Sequence, residues 1–155
     1  MISKDTLITD LRREDLMTCA RIIDETPLFQ EYGASGQGVA NLLEKAMGDP
    51  ASDLIAARSA ETLSGFAWVL KKGAFGRSAY LRLIATSTQF RSQGIGHLLL
   101  THVEEKHAKP HGLFLLTSEH NEGARAFYER AGYSRIGVIP GYVKAGINEC
   151  IYFKR

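Results

Sequence analysis

Hydrophobic and polar positions along this chain follow two periods, and the switches between them mark its elements. Thr6–Leu11 alternates apolar and polar, the period-two pattern of a half-buried strand. Glu14–Glu25 carries Leu16, Ala20, Ile22 and Ile23 at helical spacing, with Pro27 just past its end. Leu28–Gly38 (LFQEYGASGQG) sets two aromatics among glycines and reads as a loop. Val39–Met47 returns to the helical period and stops at Gly48-Asp49-Pro50. Asp53–Arg58 and Gly65–Lys71 are expected to be strands joined by a short turn through Glu61. Ala79–Thr86 is a third, with Leu81, Leu83 and Ala85 on one face.

A glycine loop, Arg91-Ser92-Gln93-Gly94-Ile95-Gly96, then opens a helix running to about His107. Its apolar stripe is Ile95, Leu98, Leu99 and Val103, the spacing of a helix packed on a sheet. Gly112–Thr117 (GLFLLT) is apolar on both faces and is expected to be a central buried strand. Asn121–Ala131 reads as a helix with Asn121 as N-cap and Gly132 in the position after its end. Tyr133–Ile139 and Ile147–Phe153 form a closing antiparallel pair around a Gly141–Gly146 turn region. The order β-α-α-β-β-β-α-β-α-β-β predicts a mixed α/β (α+β) fold with helices on both faces of one sheet. No linker, repeat or low-complexity tract interrupts it, so residues 1–155 are expected to form one domain.

The glycine loop carries the first hint of chemistry. A helix that begins on glycines leaves backbone N–H groups unpaired, and its dipole places partial positive charge there. Glycine also lets an anion approach without a Cβ in the way. The Arg91–Gly96 stretch therefore reads as a pyrophosphate cradle, although such a loop taken alone is equally a plain turn. Composition narrows the partners. With 45% apolar and 23% charged residues the chain is an ordinary globular one, and its net charge of +2 is spread without a basic block. Neither nucleic acid nor an anionic membrane is expected as a partner, and no apolar run approaches the ~20 residues of a membrane helix. The N-terminal segment MISKDTLITDLRRED has the pattern of neither a signal nor a transit peptide. Cys19 and Cys150 lie far apart in apolar segments and read as reduced core residues, pointing to a cytoplasmic protein. His102, His107 and His111 lack a metal-like partner set, so no metal site is expected.

Two motifs stand in a fixed order: R91-S-Q-G-I-G96 after a strand, then N121-E-G-A-R-A-F-Y128-E-R-A-G132-Y133 from a helix into a strand. Together they resemble the GCN5-related N-acetyltransferase (GNAT) family, whose signatures are Q/R-x-x-G-x-G/A and N-x-x-A-x-x-x-Y-x-x-x-G-F/Y. The order of elements matches that fold along essentially the whole chain, and GYVKAGINECIYFKR is similar to the family's usual ending. The resemblance implies a mostly antiparallel sheet whose fourth and fifth strands splay apart, and acetyl-CoA as co-substrate. It implies that Arg91, Ser92, Gln93, Gly94, Ile95 and Gly96 hold the pyrophosphate, and that Ile84, Ala85 and Thr86 pair with the pantetheine arm. Asn121 would bond the pantetheine or orient the nearby loop. Tyr128 would give a proton to the departing sulfur, although its neighbour Phe127 shows that an aromatic here can also be core.

The implied reaction is N-acetylation of a primary amine, of a small molecule or a peptide, by direct attack in a ternary complex. Such an amine, with a pKa of ~10.4, must lose a proton before attack. Many relatives carry a glutamate for this on one of the splayed strands. Here those strands hold Tyr80, Arg82 and Thr86, and Leu115, Leu116 and Thr117. Glu119 and His120 are the nearest titratable groups; Glu31 or a water chain are alternatives, and the base is left open. Phe29, Tyr32 and Tyr142 are candidates for the acceptor pocket, or else packing or dimer residues. A homodimer is common in the family, and nothing in the sequence decides it. The alternative from another class is an acyl-CoA-binding sensor of the same fold without turnover. Near-neutral charge does not name the amine.

Overall fold

Residues 5–155 are described in the structure, a computed structural model. In chain order the elements are β1 (Thr6–Asp10), α1 (Leu16–Asp24), α2 (Pro27–Glu31), α3 (Gly36–Met47), β2 (Ser52–Ser59), β3 (Thr62–Ala74), β4 (Ser78–Thr86), α4 (Ile95–His107), β5 (Leu113–Ser118), α5 (Glu122–Arg130), β6 (Ser134–Lys144) and β7 (Ile147–Lys154). The seven strands form one sheet in the order β1-β2-β3-β4-β5-β7-β6, antiparallel throughout except for the β4–β5 pair.

Both faces of the sheet are covered, and the strand period distributes the core between them. On β2 and β3, Ile55, Ala57, Ala67 and Val69 point to the side of α4, where Ile95, Leu99, Leu100 and Val103 bury against them. The alternate residues Leu54, Ala56, Phe66 and Trp68 meet Cys19, Ile22 and Ile23 of α1 and Leu43 and Ala46 of α3. Each strand thus reads as a continuous apolar run because each of its two faces has a helix layer to bury against. A bidentate pair between buried Arg58 and Asp15 ties β2 to the start of α1, one of its two bonds being 2.8 Å long. Burial would raise the Asp15 carboxyl, but the Arg58 hydrogen bonds and the Arg12 amide outweigh it and hold it below the usual carboxylate range.

Two stretches differ from expectation. The Leu28–Gly38 segment is not a plain loop: it contains α2 and the first turn of α3. Pro27 at the first helical position supplies the φ that α2 needs, and Ser35 caps α3 by accepting from the Gly38 N–H at 2.9 Å. The Gly141–Gly146 region is mostly strand, since β6 runs on to Lys144 and only the Lys144–Ile147 step turns the chain. Asn121 is the N-cap of α5, its side chain accepting from the Ala124 N–H at 3.1 Å, and Gly132 follows the helix at positive φ. Cys19 and Cys150 are free and buried; burial pushes the Cys19 thiol up to about 12.

Candidate active site

The site starts from a ladder that stops. β4 pairs with β5 only at Ala79↔Leu113, Tyr80↔Phe114 and Leu81↔Leu115, although β4 continues to Thr86 and β5 to Ser118. On its other edge β4 stays paired with β3 as far as Gly65↔Thr86. The N–H and C=O groups of Arg82–Thr86 that face β5 therefore have no strand partner, and an extended ligand can pair with them as an added strand. A bulge assists the separation: Leu81 pairs with Val69 but Leu83 with the adjacent Trp68, leaving Arg82 as an extra residue. Side-chain alternation resets there, so that Leu81 packs on the α4 side and Leu83 on the α1 and α3 side. The Arg82 guanidinium lies 4.2 Å from the centre of the Trp68 ring.

The parted strands open a cleft of about 790 Å³ that runs from the start of α4 to α2 and β7. At one end is the glycine loop. Gly94 has φ +80°, a left-handed conformation that glycine takes without strain, and no side chain caps the helix that follows. Leu98 N–H bonds the Gly94 carbonyl at 3.0 Å, so the amides of Ile95, Gly96 and His97 lie ahead of the helical ladder. A Cβ on Gly96 would stand 3.6 Å from the Phe127 ring and 3.8 Å from Thr86 Oγ1, in the space the cleft keeps open. Gly65 of β3 lets the helix start come this close to the sheet. Its own Cβ would lie 2.9 Å from both the Ala85 carbonyl and Ile95 Cγ2.

The structure gathers most of the sequence candidates into this cleft. Ile84, Ala85, Thr86, Arg91, Ser92 and Gly96 line one part of it, Tyr128 lines its floor, and Phe29 and Tyr32 line the far end. Gln93, Gly94 and Ile95 build the loop without lining the cleft; Ile95 is core, and Gln93 reaches back to the Gln89 carbonyl at 3.4 Å. Asn121 acts as the cap of α5, while Gly123 and Ala124 of the turn it organises reach the cleft. Tyr142 is exposed and its neighbour Val143 lines the cleft instead. Glu119 is exposed and outside the cleft, and His120 bonds Glu31 at 2.7 Å at the surface.

Tyr128 is 7% exposed, with its ring edge-on to Phe127 and Tyr133 at 5.1 and 5.8 Å. Burial drives its phenol well above the ordinary tyrosine value, so it holds its proton through the neutral range. Its hydroxyl makes no hydrogen bond with the described residues, which leaves it free to donate.

Among the polar residues of the cleft, Ser118 and Glu149 were not singled out in the sequence, and Tyr80 was named there only as a residue that β4 holds. Glu149 had a signal. It shares a face of β7 with Ile147, Ile151 and Phe153, and a lone acid on an apolar strand face implies a buried charge with a purpose. Tyr80 and Ser118 had none, because tyrosine and serine are ordinary strand residues.

An unpaired helix start, a parted parallel strand pair and a phenol without a hydrogen-bond partner among the described residues are joined by one cleft. The acetyltransferase (GNAT) family description matches residues 13–133. The chain belongs to that family. It is similar to an uncharacterized protein of Mycobacterium leprae, 30% identical over 65% of this chain but only 28% of that protein. To YdhI of Bacillus subtilis it is 38% identical over 40% of each chain. The chain thus spans well under half the length of both. A structure from Desulfovibrio desulfuricans assigned to the GNAT family superposes with TM-score 0.83 at 22% identity, covering 97% of this chain and 98% of the other. A spermidine N-acetyltransferase from Vibrio cholerae, in complex with CoA and spermine, gives 0.80 at 16% identity, covering 98% and 96%. At these identities the likeness is one of fold.

Proposed function

We propose that this protein transfers the acetyl group of acetyl-CoA to a primary amine by direct attack within a ternary complex, as a single catalytic domain. The observation that carries this is the one cleft that joins an uncapped helix start, an unpaired strand edge and a buried phenol.

Family membership supplies the acyl donor, and the site's own groups fit it. The free amides of Ile95, Gly96 and His97, beside the positive end of the α4 dipole, suit a pyrophosphate. The free edge of Arg82–Thr86 offers the amide-bearing pantetheine arm a strand partner. Bound there, acetyl-CoA would present its activated acyl group as a thioester. Unpaired backbone N–H groups of the β4 edge can hold the carbonyl oxygen as it gains charge. Tyr128, kept protonated by its burial, is the donor for the sulfur. Cys19, raised by burial and packed in the core away from the cleft, is no nucleophile, in keeping with direct attack. Among the described residues no helix is long and apolar enough to cross a membrane.

The test is a melting experiment. At a hundred times its dissociation constant, a ligand that binds only the native state adds about 2.7 kcal/mol. For a chain of this size that raises the melting temperature by about 5–10 °C. Acetyl-CoA should do this for the wild-type protein and not for Gly96→Val, whose branches would fill the space between Phe127 and Thr86. No shift in the wild type at saturating acetyl-CoA would sink the proposal.

A further inference from the structure

At the end of the cleft away from the glycine loop, three oxygen-bearing side chains converge with unused bonding capacity. Ser118 and Glu149 are direct partners across the β5–β7 ladder, so their side chains share a face of the sheet. They are 2% and 5% exposed, and both line the cleft. Tyr32, from the C-terminal end of α2, donates its hydroxyl to Glu149 Oε2 at 2.5 Å. The second carboxylate oxygen has no hydrogen-bond partner among the described residues, and buried Ser118 Oγ has none either. Ser118 Oγ is near enough to the Tyr32 phenol to influence it, yet makes no bond of normal geometry. Leaving such groups unpaired costs about 1–3 kcal/mol each, and a buried charge more, so the cluster favours a hydrogen-bond donor entering the cleft.

We propose that Tyr32, Ser118 and Glu149 are the seat of the acceptor, a primary ammonium carried on an apolar body, and that Glu149 receives its proton; this rests on the acetyl-transfer reading above. An ammonium has three N–H donors, and the seat offers three acceptors: the free Glu149 oxygen, Ser118 Oγ and the remaining lone pair of Tyr32. Glu149 is the only carboxylate among the cleft-lining residues, which suits one positive charge and not a chain of them. Leu28, Phe29 and Val143 form apolar walls beside it. The titratable groups that face it are Tyr32 from α2 and Tyr80 from β4, with Arg82 and Tyr142 beyond Tyr80 and Glu31 beyond Tyr32. Burial, and then the bond to Glu149, raises the Tyr32 phenol, so it stays a donor to the carboxylate at neutral pH.

The step balances without further reactants. The ammonium gives one proton to Glu149, and the freed lone pair forms the C–N bond. The C–S bond breaks with its electron pair going to sulfur, which takes a proton from Tyr128. The nitrogen's second proton returns to Tyr128, and Glu149 releases its own to solvent.

The experiment uses phenethylamine as probe and phenethyl alcohol, its uncharged analogue, as control. Ligand-observed NMR should show the wild-type protein binding the amine in preference to the alcohol, and Glu149→Gln losing that preference. With acetyl-CoA, thiol release in Glu149→Gln should fall by about a hundredfold in kcat/KM at neutral pH and recover as the pH rises toward the amine's own pKa of ~10.4. Glu149→Asp should recover part of the neutral-pH rate, and Ser118→Ala should raise KM with kcat little changed. Acetyl-CoA affinity should be unchanged in all three. A Glu149→Gln protein with wild-type rate and pH profile would overturn the assignment, as would a wild type that binds acetyl-CoA yet prefers the alcohol. Failure of the wild type to bind acetyl-CoA would instead remove the acetyl-transfer reading beneath it. If Glu149→Gln does not fold, Tyr32→Phe, which removes one of the three acceptors and keeps the carboxylate, carries the test: amine affinity should fall severalfold with the preference over the alcohol kept, and unchanged amine affinity would count decisively against the seat.

Discussion

Tyr128 shows how a residue's role depends on a few ångströms of surroundings. The chain places two aromatics side by side at Phe127 and Tyr128, and only packing separates their duties. Both residues line the cleft; the Phe127 ring borders the space over Gly96, whereas Tyr128 is packed among other rings with its hydroxyl unbonded by the described residues. Desolvation there favours the neutral phenol. Tyr128→Phe keeps the ring and removes the proton, so kcat should fall by about a hundredfold with acetyl-CoA affinity nearly unchanged. Single-turnover kinetics with a confirmed amine check this; an unaltered chemical rate would take Tyr128 out of the mechanism. At the same scale, Glu149 has no sequence neighbour among the candidate bases Glu119, His120 and Glu31, which lie next to the splayed strands or at the end of α2. The residue lies on the next strand of the sheet, across from Ser118. Sequence distance, 31 positions here, concealed a direct cross-strand pair.

Elements place these groups, and close approach between two of them sets the cradle. The start of α4 rests on β3 only because position 65 has no side chain. In Gly65→Ala the new Cβ meets the Ala85 carbonyl and the first residue of α4, neither of which is the free end of a flexible chain. Overpacking of this kind costs about 1–3 kcal/mol. The expected result is a lower urea midpoint together with weaker acetyl-CoA binding by calorimetry, because the displaced segment carries the amides of the cradle. Unchanged affinity in a folded variant would show that the helix start does not hold the ligand. The pattern of apolar positions made most elements legible in sequence, since each buries two faces or one stripe in regular alternation. It missed α2, a helix of five residues with no buried side chain and so with no stripe to read. It also stopped β6 short, because that edge strand is largely exposed and lacks an apolar face.

Across the whole molecule, tyrosine burial sets the alkaline limit of stability. Burial raises the phenols of Tyr32, Tyr128 and Tyr133 above their unfolded value. A raised folded pKa means that the unfolded chain loses these protons first, near pH ~10. Their contribution is therefore complete below that pH and is lost as the pH climbs toward the folded values. The melting temperature should be level from about pH 7 to 9.5 and drop steeply above about pH 10, with tyrosinate absorbance appearing together with unfolding. Tyrosinate that titrates fully before any unfolding would contradict the burial.

Most of the order of elements, the two-sided core and the cap positions of α5 at Asn121 and Gly132 were legible in the chain, because each depends on local periodicity or on one residue's backbone preference. Tertiary packing alone fixed where the β4–β5 ladder ends, that Phe127 and Tyr128 both reach the cleft, and that Tyr32, Ser118 and Glu149 meet. Those facts depend on register and on contacts between segments as far apart as residues 32 and 149. Such contacts leave no period in the chain, since the free energy that fixes them comes from burial of the folded whole.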